Sequence, residues 1–182
     1  MGKRFAFWRS TKSQPQSELL TALNAHAGLI LSCAGRVLGN ISDAEDVAQD
    51  MVESLLRSPP ADVRHWPAFL KTMACHRSID QLRKRKEWVE PDLEMPSGDS
   101  EPEETVEQAQ RASALRIAIA NLSSHHANLF SLCYFADLSH AQIAAQLDMQ
   151  ENAVTVALHR VRKKLADDIR RQFDQADSGV DK

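Results

Sequence analysis

A chain of 182 residues is long enough for one domain or two small ones, and with aromatics at only 5% and helix formers dominant it reads as all-helical. The net charge of −3 hides a partition: residues 1–86 carry a net +5, residues 87–108 a net −9 with no base at all, and residues 109–182 a net +1. Cys33, Cys75 and Cys133 are odd in number, widely spaced and outside any CxxC, which argues against a disulfide framework and fits a reducing cytosol.

Residues 1–16 read as a mobile arm, basic and carrying Phe5, Phe7 and Trp8. Its apolar run is too short for a signal peptide, and no stretch reaches the length of a transmembrane helix, so membrane insertion is not expected. A first helix is predicted over residues 18–37, with Leu20, Leu23, Ala27, Ile30, Leu31, Ala34 and Leu38 at helical spacing. Gly39 and Asn40 end it. A second helix is predicted to open at Ser42 through a capping box with Glu45, its apolar stripe being Ala44, Val47, Ala48, Met51, Val52 and Leu55. Asp43, Asp46, Gln49, Asp50 and Glu53 are left on the outer face. Acids in a first turn complement the helix dipole, but these run three turns along the helix, past the reach of that effect. They therefore also read as an acidic docking surface.

Ser58-Pro59-Pro60 stops the second helix, and Trp66-Pro67 starts a third. Trp66, Phe69 and Met73 fall on one side of it, and Thr72, Cys75, Ile79 and Leu82 on another, as in a helix at the centre of a bundle. Its remainder is basic: Lys71, Arg77 and the run Arg83-Lys84-Arg85-Lys86, uninterrupted by acids. Bases beside aromatic rings hold single-stranded nucleic acid by phosphate contact and stacking. Residues 87–108 hold nine acids and three prolines, the composition of an extended, self-repelling linker. A second helical half follows, with Leu115, Ile119 and Leu122 on one stripe, then a shorter helix capped by Ser123-Ser124 and bearing Ala127, Phe130, Cys133 and Tyr134. Cys75-His76 and His125-His126 lack a second ligand pair at metal-binding spacing, so no metal is expected.

Residues 138–165, LSHAQIAAQLDMQENAVTVALHRVRKKL, read as two helices joined by a tight turn. Ser139 and Gln142 form a capping box, and Ile143 and Leu147 share a face. Asp148-Met149-Gln150 makes the turn without the glycine that would ease it. Val154, Leu158, Val161 and Leu165 then form a buried stripe, leaving Asn152, Val156, His159 and Lys163 on the opposite face, flanked by Thr155, Arg160 and Arg162. A basic helix end also suits the macrodipole, but capping, stripe and outer face together describe a DNA-reading helix-turn-helix. Beyond Ile169 the tail turns polar and is expected to fray. No Ser/His/Asp order, paired-carboxylate pocket or Gly-rich phosphate loop is present, so neither an enzymatic activity nor a cofactor is expected.

This layout resembles the extracytoplasmic-function sigma factors, the smallest members of the bacterial primary-sigma family, over residues 18–165. Three segments carry the resemblance: Asp43-Ala44-Glu45-Asp46-Val47-Ala48-Gln49-Asp50, the stretch from Trp66 through Phe69-Leu70 to Ile79-Asp80-Gln81-Leu82-Arg83, and residues 122–165. It implies two small helical domains: residues 17–86, for polymerase docking and the −10 element, and residues 109–170, for the −35 element. The acidic linker, residues 87–108, joins them, and residues 171–182 are the polar tail. It implies that Asp43, Glu45, Asp46, Gln49 and Asp50 grip core RNA polymerase. The loop of residues 58–65 with Trp66, Lys71, His76, Arg77, Arg83 and Lys84 would hold the melted −10 strand. Asn152, Thr155, Val156, His159, Arg160, Arg162 and Lys163 would read the −35 duplex of promoter DNA, and the linker would occupy the polymerase's active-site and RNA-exit channel. Most members of the family have an anti-sigma factor and some are controlled by other means.

Several positions depart from the family's habits. His76 stands where an Asn is frequent, Cys75 where a basic residue often lies, Ser123-Ser124 in place of a usual proline, and Gln150 where a Ser or Thr would cap the recognition helix. Thr155-Val156-Ala157 replaces a more polar trio. These departures bear on which promoter is read. A free-standing helix-turn-helix regulator is the rival reading, and it predicts tight operator binding without polymerase.

Overall fold

The computed structural model describes residues 16–61, 63–88 and 106–178. Residues 1–15, the middle of the acidic linker and the last residues of the tail, about which the sequence makes its own expectations, lie outside the described residues. Among the described residues the regular structure is seven helices: α1 (Gln16–Leu38), α2 (Ile41–Arg57), α3 (Trp66–Trp88), α4 (Val106–Ala120), α5 (Ser124–Tyr134), α6 (His140–Leu147) and α7 (Glu151–Ser178). None of them is long and apolar enough to cross a membrane.

α1 buries Leu19, Leu23, Ile30, Ala34, Val37 and Leu38. The buried face starts from Leu19 rather than Leu20, so Leu20 and Ala27, expected on the stripe, face outward. Gly39 ends the helix in the left-handed region at φ 68°, and its N–H donates to Gly35 O at 2.7 Å. A Cβ at this position would run into the Arg116 guanidinium, which lies across the bare backbone. α2 is capped two residues earlier than the sequence suggests. Asn40, not Ser42, is its cap: Asn40 is extended, and its Oδ1 accepts from Asp43 N–H at 3.2 Å. Ser42 is thereby inside the first turn. The stripe is as expected, with Ala44, Val47, Met51 and Leu55 buried and Ala48 and Val52 packed at its edge.

α3 begins where Trp66-Pro67 places it. His65 Nδ1 accepts from Ala68 N–H at 3.2 Å, a cap the sequence did not reveal, and Trp66 meets Phe69 edge-to-face at 5.9 Å. Its two apolar sides are both used: Leu70, Ala74, Cys75 and Ile79 are at 0% exposure. α1 and α2 cover it from one direction, α4 and α5 from the other. One contiguous core therefore runs from Leu19 in α1 to Leu165 in α7.

In the second half the Ser123 Oγ accepts from His126 N–H at 3.3 Å and caps α5. The capping box at α6 is complete: Ser139 Oγ accepts from Gln142 N–H at 3.2 Å, and Gln142 Oε1 accepts from Ser139 N–H at 2.9 Å. Asp148 supplies the left-handed turn residue, at φ 53°, in place of the missing glycine. Asp is among the few residues other than Gly that visit this region routinely. α7 corrects the expectation of a fraying tail. It continues to Ser178 because Ile169 still packs on the core, Gln172 Nε2 reaches Ala114 O at 3.5 Å, and Lys164 and Arg171 both pair with Asp168 within the helix.

Ile79 sits at the centre of the shared helix with no exposed surface. Ile79→Ala is expected to lower the unfolding free energy by about 2–5 kcal/mol. Urea denaturation followed by circular dichroism measures it; a loss well under that range would mean the two halves do not share α3 as described.

Candidate nucleic-acid interface

The recognition helix presents the faces that its periodicity predicts. Val154, Leu158, Val161 and Leu165 are at 3% exposure or less, while Asn152, Thr155, Val156, His159, Arg160, Arg162 and Lys163 are all exposed. Val156 is 51% exposed, an apolar group held out to solvent between polar neighbours. Thr155 is more constrained than the others: its Oγ1 lies 3.1 Å from His140 Nδ1 and donates to Glu151 O at 3.3 Å. That bond ties the outer face of α7 to the start of α6 and fixes the angle between the two helices of the motif.

On the first half, Glu45, Asp46, Gln49 and Asp50 are exposed along α2. Asp43 differs from its neighbours. Its side chain is 15% exposed and pairs with Arg85 at 2.5 Å, so it braces α2 against the end of α3. The acidic face thus effectively starts at Glu45. Between α2 and α3 lies an open cleft of about 300 Å³ lined by Val47, Asp50, Arg77, Asp80, Gln81, Arg83 and Lys84. Arg77 enters it while donating to Ser54 Oγ at 3.1 Å. Three of the expected nucleic-acid contacts, Arg77, Arg83 and Lys84, are brought together here; Trp66 and Lys71 are at the other end of α3.

The sequence did not reveal that part of this basic set is engaged by the second half of the chain. The chain leaving α5 presents the carbonyls of Phe135, its C-cap, and Ala136, just past the end of the helix, and donors from the first half meet them. Lys71 Nζ donates to Ala136 O at 2.7 Å, and Arg36 donates to Phe135 O at 3.2 Å and to Asp137 Oδ2 at 2.6 Å. Arg83 donates to Leu122 O and to Ser124 Oγ, both at 2.8 Å. The Thr72 hydroxyl, bonded to Ala68 O within α3, also meets the Gln146 carboxamide of α6 at 2.5 Å. Arg36 holds the Asp137 carboxyl below its ordinary range. Arg36, Asp137 and Gln146 carry no sequence signal, since each is an unremarkable surface residue until the two halves meet.

Comparisons with known proteins agree on the class. Two family models match: sigma-70 region 2 over residues 22–87 and sigma-70 region 4 over residues 113–165. The ECF RNA polymerase sigma factor RpoE of Cereibacter sphaeroides is 31% identical over 137 residues, covering 69% of this chain and 74% of that protein. A probable ECF RNA polymerase sigma factor of Mycobacterium tuberculosis, SigI, is 28% identical over 154 residues, covering 79% of this chain but only 53% of the relative, so the chain spans about half its length. Among solved structures, the sigma factor RpoE of Bartonella quintana, crystallised with the anti-sigma factor NepR, has the same fold at a TM-score of 0.51 and 19% identity, covering 92% of this chain and 98% of that one.

Within the region 2 match, His76 is half-buried on α3, and burial pushes its imidazole below the ordinary 6.5, with nearby Asp80 opposing the shift. A base with a depressed folded-state pKa binds fewer protons folded than unfolded. Its contribution to stability is complete above pH 6.5 and is lost as the pH falls below it. Melting temperatures at pH 7.5 and 5.5 should therefore differ more for the wild type than for His76→Gln. An equal drop in both would mean that His76 is not held neutral by its surroundings.

Proposed function

The chain belongs to the extracytoplasmic-function (ECF) RNA polymerase sigma factors, and from that premise we propose that it is a dissociable specificity subunit that directs core RNA polymerase to promoters and helps melt the −10 element. The observation that carries the reading is the pairing of a region 2 match with a region 4 match whose recognition helix holds seven residues out for a duplex. Glu45, Asp46, Gln49 and Asp50 form the polymerase-docking face, and Asp43 supports it from beneath through Arg85. Trp66, Lys71, His76, Arg77, Arg83 and Lys84 hold the melted −10 strand, with the cleft beside Arg77 and Lys84 as its track. Asn152, Val156, His159 and Lys163 face the floor of the −35 major groove, and Thr155, Arg160 and Arg162 its edges. The working partners are core polymerase and promoter DNA, with an anti-sigma factor as a regulator, and the place of action is the cytoplasm. The division into residues 17–86 and 109–170, joined by the linker, belongs to the same reading.

Geometry adds a requirement. The two promoter elements lie about 25 base pairs apart, on the order of 85 Å of duplex at 3.4 Å per step. A chain of this length packed as one body has a radius of gyration near 16 Å. Both elements cannot be reached while α4 and α5 cover α3. Promoter engagement therefore separates the halves and frees Lys71 and Arg83 from the carbonyls they hold.

Charge reversal at Asp46 and Asp50 is expected to abolish co-purification with core polymerase while leaving helicity by circular dichroism intact. Undiminished co-purification would sink the docking assignment. For base reading, Ala at His159 or Arg160 should change which −35 sequences support transcription, at ~1–3 kcal/mol for a lost base contact. Ala at Arg162 should weaken all promoters alike and flatten the salt dependence of binding. Transcription by reconstituted holoenzyme from a promoter library separates the two outcomes, and a uniform loss in every variant would mean the helix faces are misassigned.

A further inference from the structure

Nothing inside the protein asks for a valine at position 156. Val156 is 51% exposed, stands opposite the stripe from Val154 to Leu165, and is not packed against the core. A β-branched side chain also lowers helix propensity relative to alanine or a long polar residue, so on an outer face it weakens α7 slightly.

Its surroundings are those of a surface left open for a partner. The neighbours of a residue on a helix surface lie three and four positions away. For Val156 these are Asn152, Ala153, His159 and Arg160, all exposed and none an acid. Among the described residues the side chains of Asn152, His159 and Arg160 make no hydrogen bond or ion pair. Further along the same helix, Lys164, Arg170 and Arg171 each pair with Asp167 or Asp168. The adjacent Thr155 adds no free polar group: its hydroxyl donates to Glu151 O at 3.3 Å and lies 3.1 Å from His140 Nδ1. Val156 is thus an apolar tip, with the small Ala153 beside it, inside a rim of unpaired polar and basic side chains.

Such a rim suits phosphates and base edges, but the tip does not. The ring nitrogens, carbonyl oxygens and amino groups that base pairs present in the major groove are polar. Burying one of them against an isopropyl group removes its water and gives no hydrogen bond in return. The C5-methyl of thymine is the apolar group on that surface. We propose that Val156 packs on the C5-methyl of a thymine in the −35 element and so selects thymine over cytosine at one position. The inference rests on the −35 assignment proposed for α7 and names a base that it leaves open. Cytosine offers a bare C5–H and an N4 amino group that Val156 cannot satisfy. Because the contact involves neither charge nor hydrogen bond, the preference is independent of salt, unlike the phosphate contacts around it.

Holoenzyme assembled from core polymerase and the full-length chain selects a −35 sequence from a randomised promoter library. Each thymine of the selected element is then replaced singly by deoxyuridine, which deletes the C5-methyl and leaves every hydrogen-bonding group in place. One replacement should weaken binding of the wild-type holoenzyme by about three- to fivefold, the effect of one buried methyl group. It should cost the Val156→Ala holoenzyme nothing measurable, and 5-methylcytosine at the same position should bind the wild type better than cytosine does. The deoxyuridine scan on the wild type requires no variant to fold, and alanine at an exposed helical position favours the helix. A selected element in which no thymine is sensitive to loss of its methyl, or an equal loss in Val156→Ala, would overturn the proposal while leaving the −35 assignment standing. A holoenzyme that selects no −35 sequence would overturn both.

Discussion

α3 is the element on which the rest of the molecule depends, because its apolar residues occupy more than one side. A helix with a single apolar stripe is satisfied by one neighbouring layer. α3 places Leu70, Ala74, Cys75 and Ile79 where no water reaches them, and α1 and α2 alone leave the side toward Thr72, Cys75 and Leu82 to be covered. α4 and α5 supply that cover. The first and second halves therefore share a core, although the chain between them is an acidic, proline-bearing segment with little to bury.

The contacts that hold this arrangement are of two kinds with different strengths. Apolar burial along α3 is non-directional and grows with area. The polar contacts are directional, and they match electrostatic opposites: cations from α1 and α3 against the carbonyl-rich C-terminal end of α5, where the helix dipole is negative. Asp137, at φ 52° just past that end, adds a carboxylate to the same place. Exposed pairs of this sort contribute little each. Phosphates compete for the same cations, so a nucleic acid presented to Lys71 and Arg83 would replace internal partners rather than fill vacant sites.

The acidic and basic faces of the first half are likewise coupled. Asp43 and Arg85 join the start of α2 to the end of α3, so the proposed polymerase-docking face and the proposed −10 track are parts of one corner. The helix-turn-helix depends on shorter-range devices: the Ser139–Gln142 box, the left-handed Asp148 and the Thr155–His140 bond set α7 against α6 within a few residues of chain. That is why its outward face could be read residue by residue from spacing alone.

What the sequence determined by itself is the local part of the structure. Helical periodicity, the stops at Gly39 and Ser58-Pro59-Pro60, the capping box at Ser139 and the buried stripe from Val154 to Leu165 each depend on neighbours within one or two turns, and each is as the residues dictate. Errors arose where two local solutions compete. Asn40 and Ser42 can both cap α2, and the extended backbone at Asn40 decides between them. Polar residues after Ile169 can fray or form ion pairs, and packing of Ile169 with the Asp168 pairs keeps them helical. Only the tertiary structure decided that the halves close on α3, that Lys71 and Arg83 are engaged by the segments flanking α5, and that Cys33 and Cys75 each reach a carbonyl of the second half. Those contacts join residues from 39 to 102 positions apart. No spacing rule reaches that far, because the partners are chosen by which surfaces remain uncovered once the helices have formed.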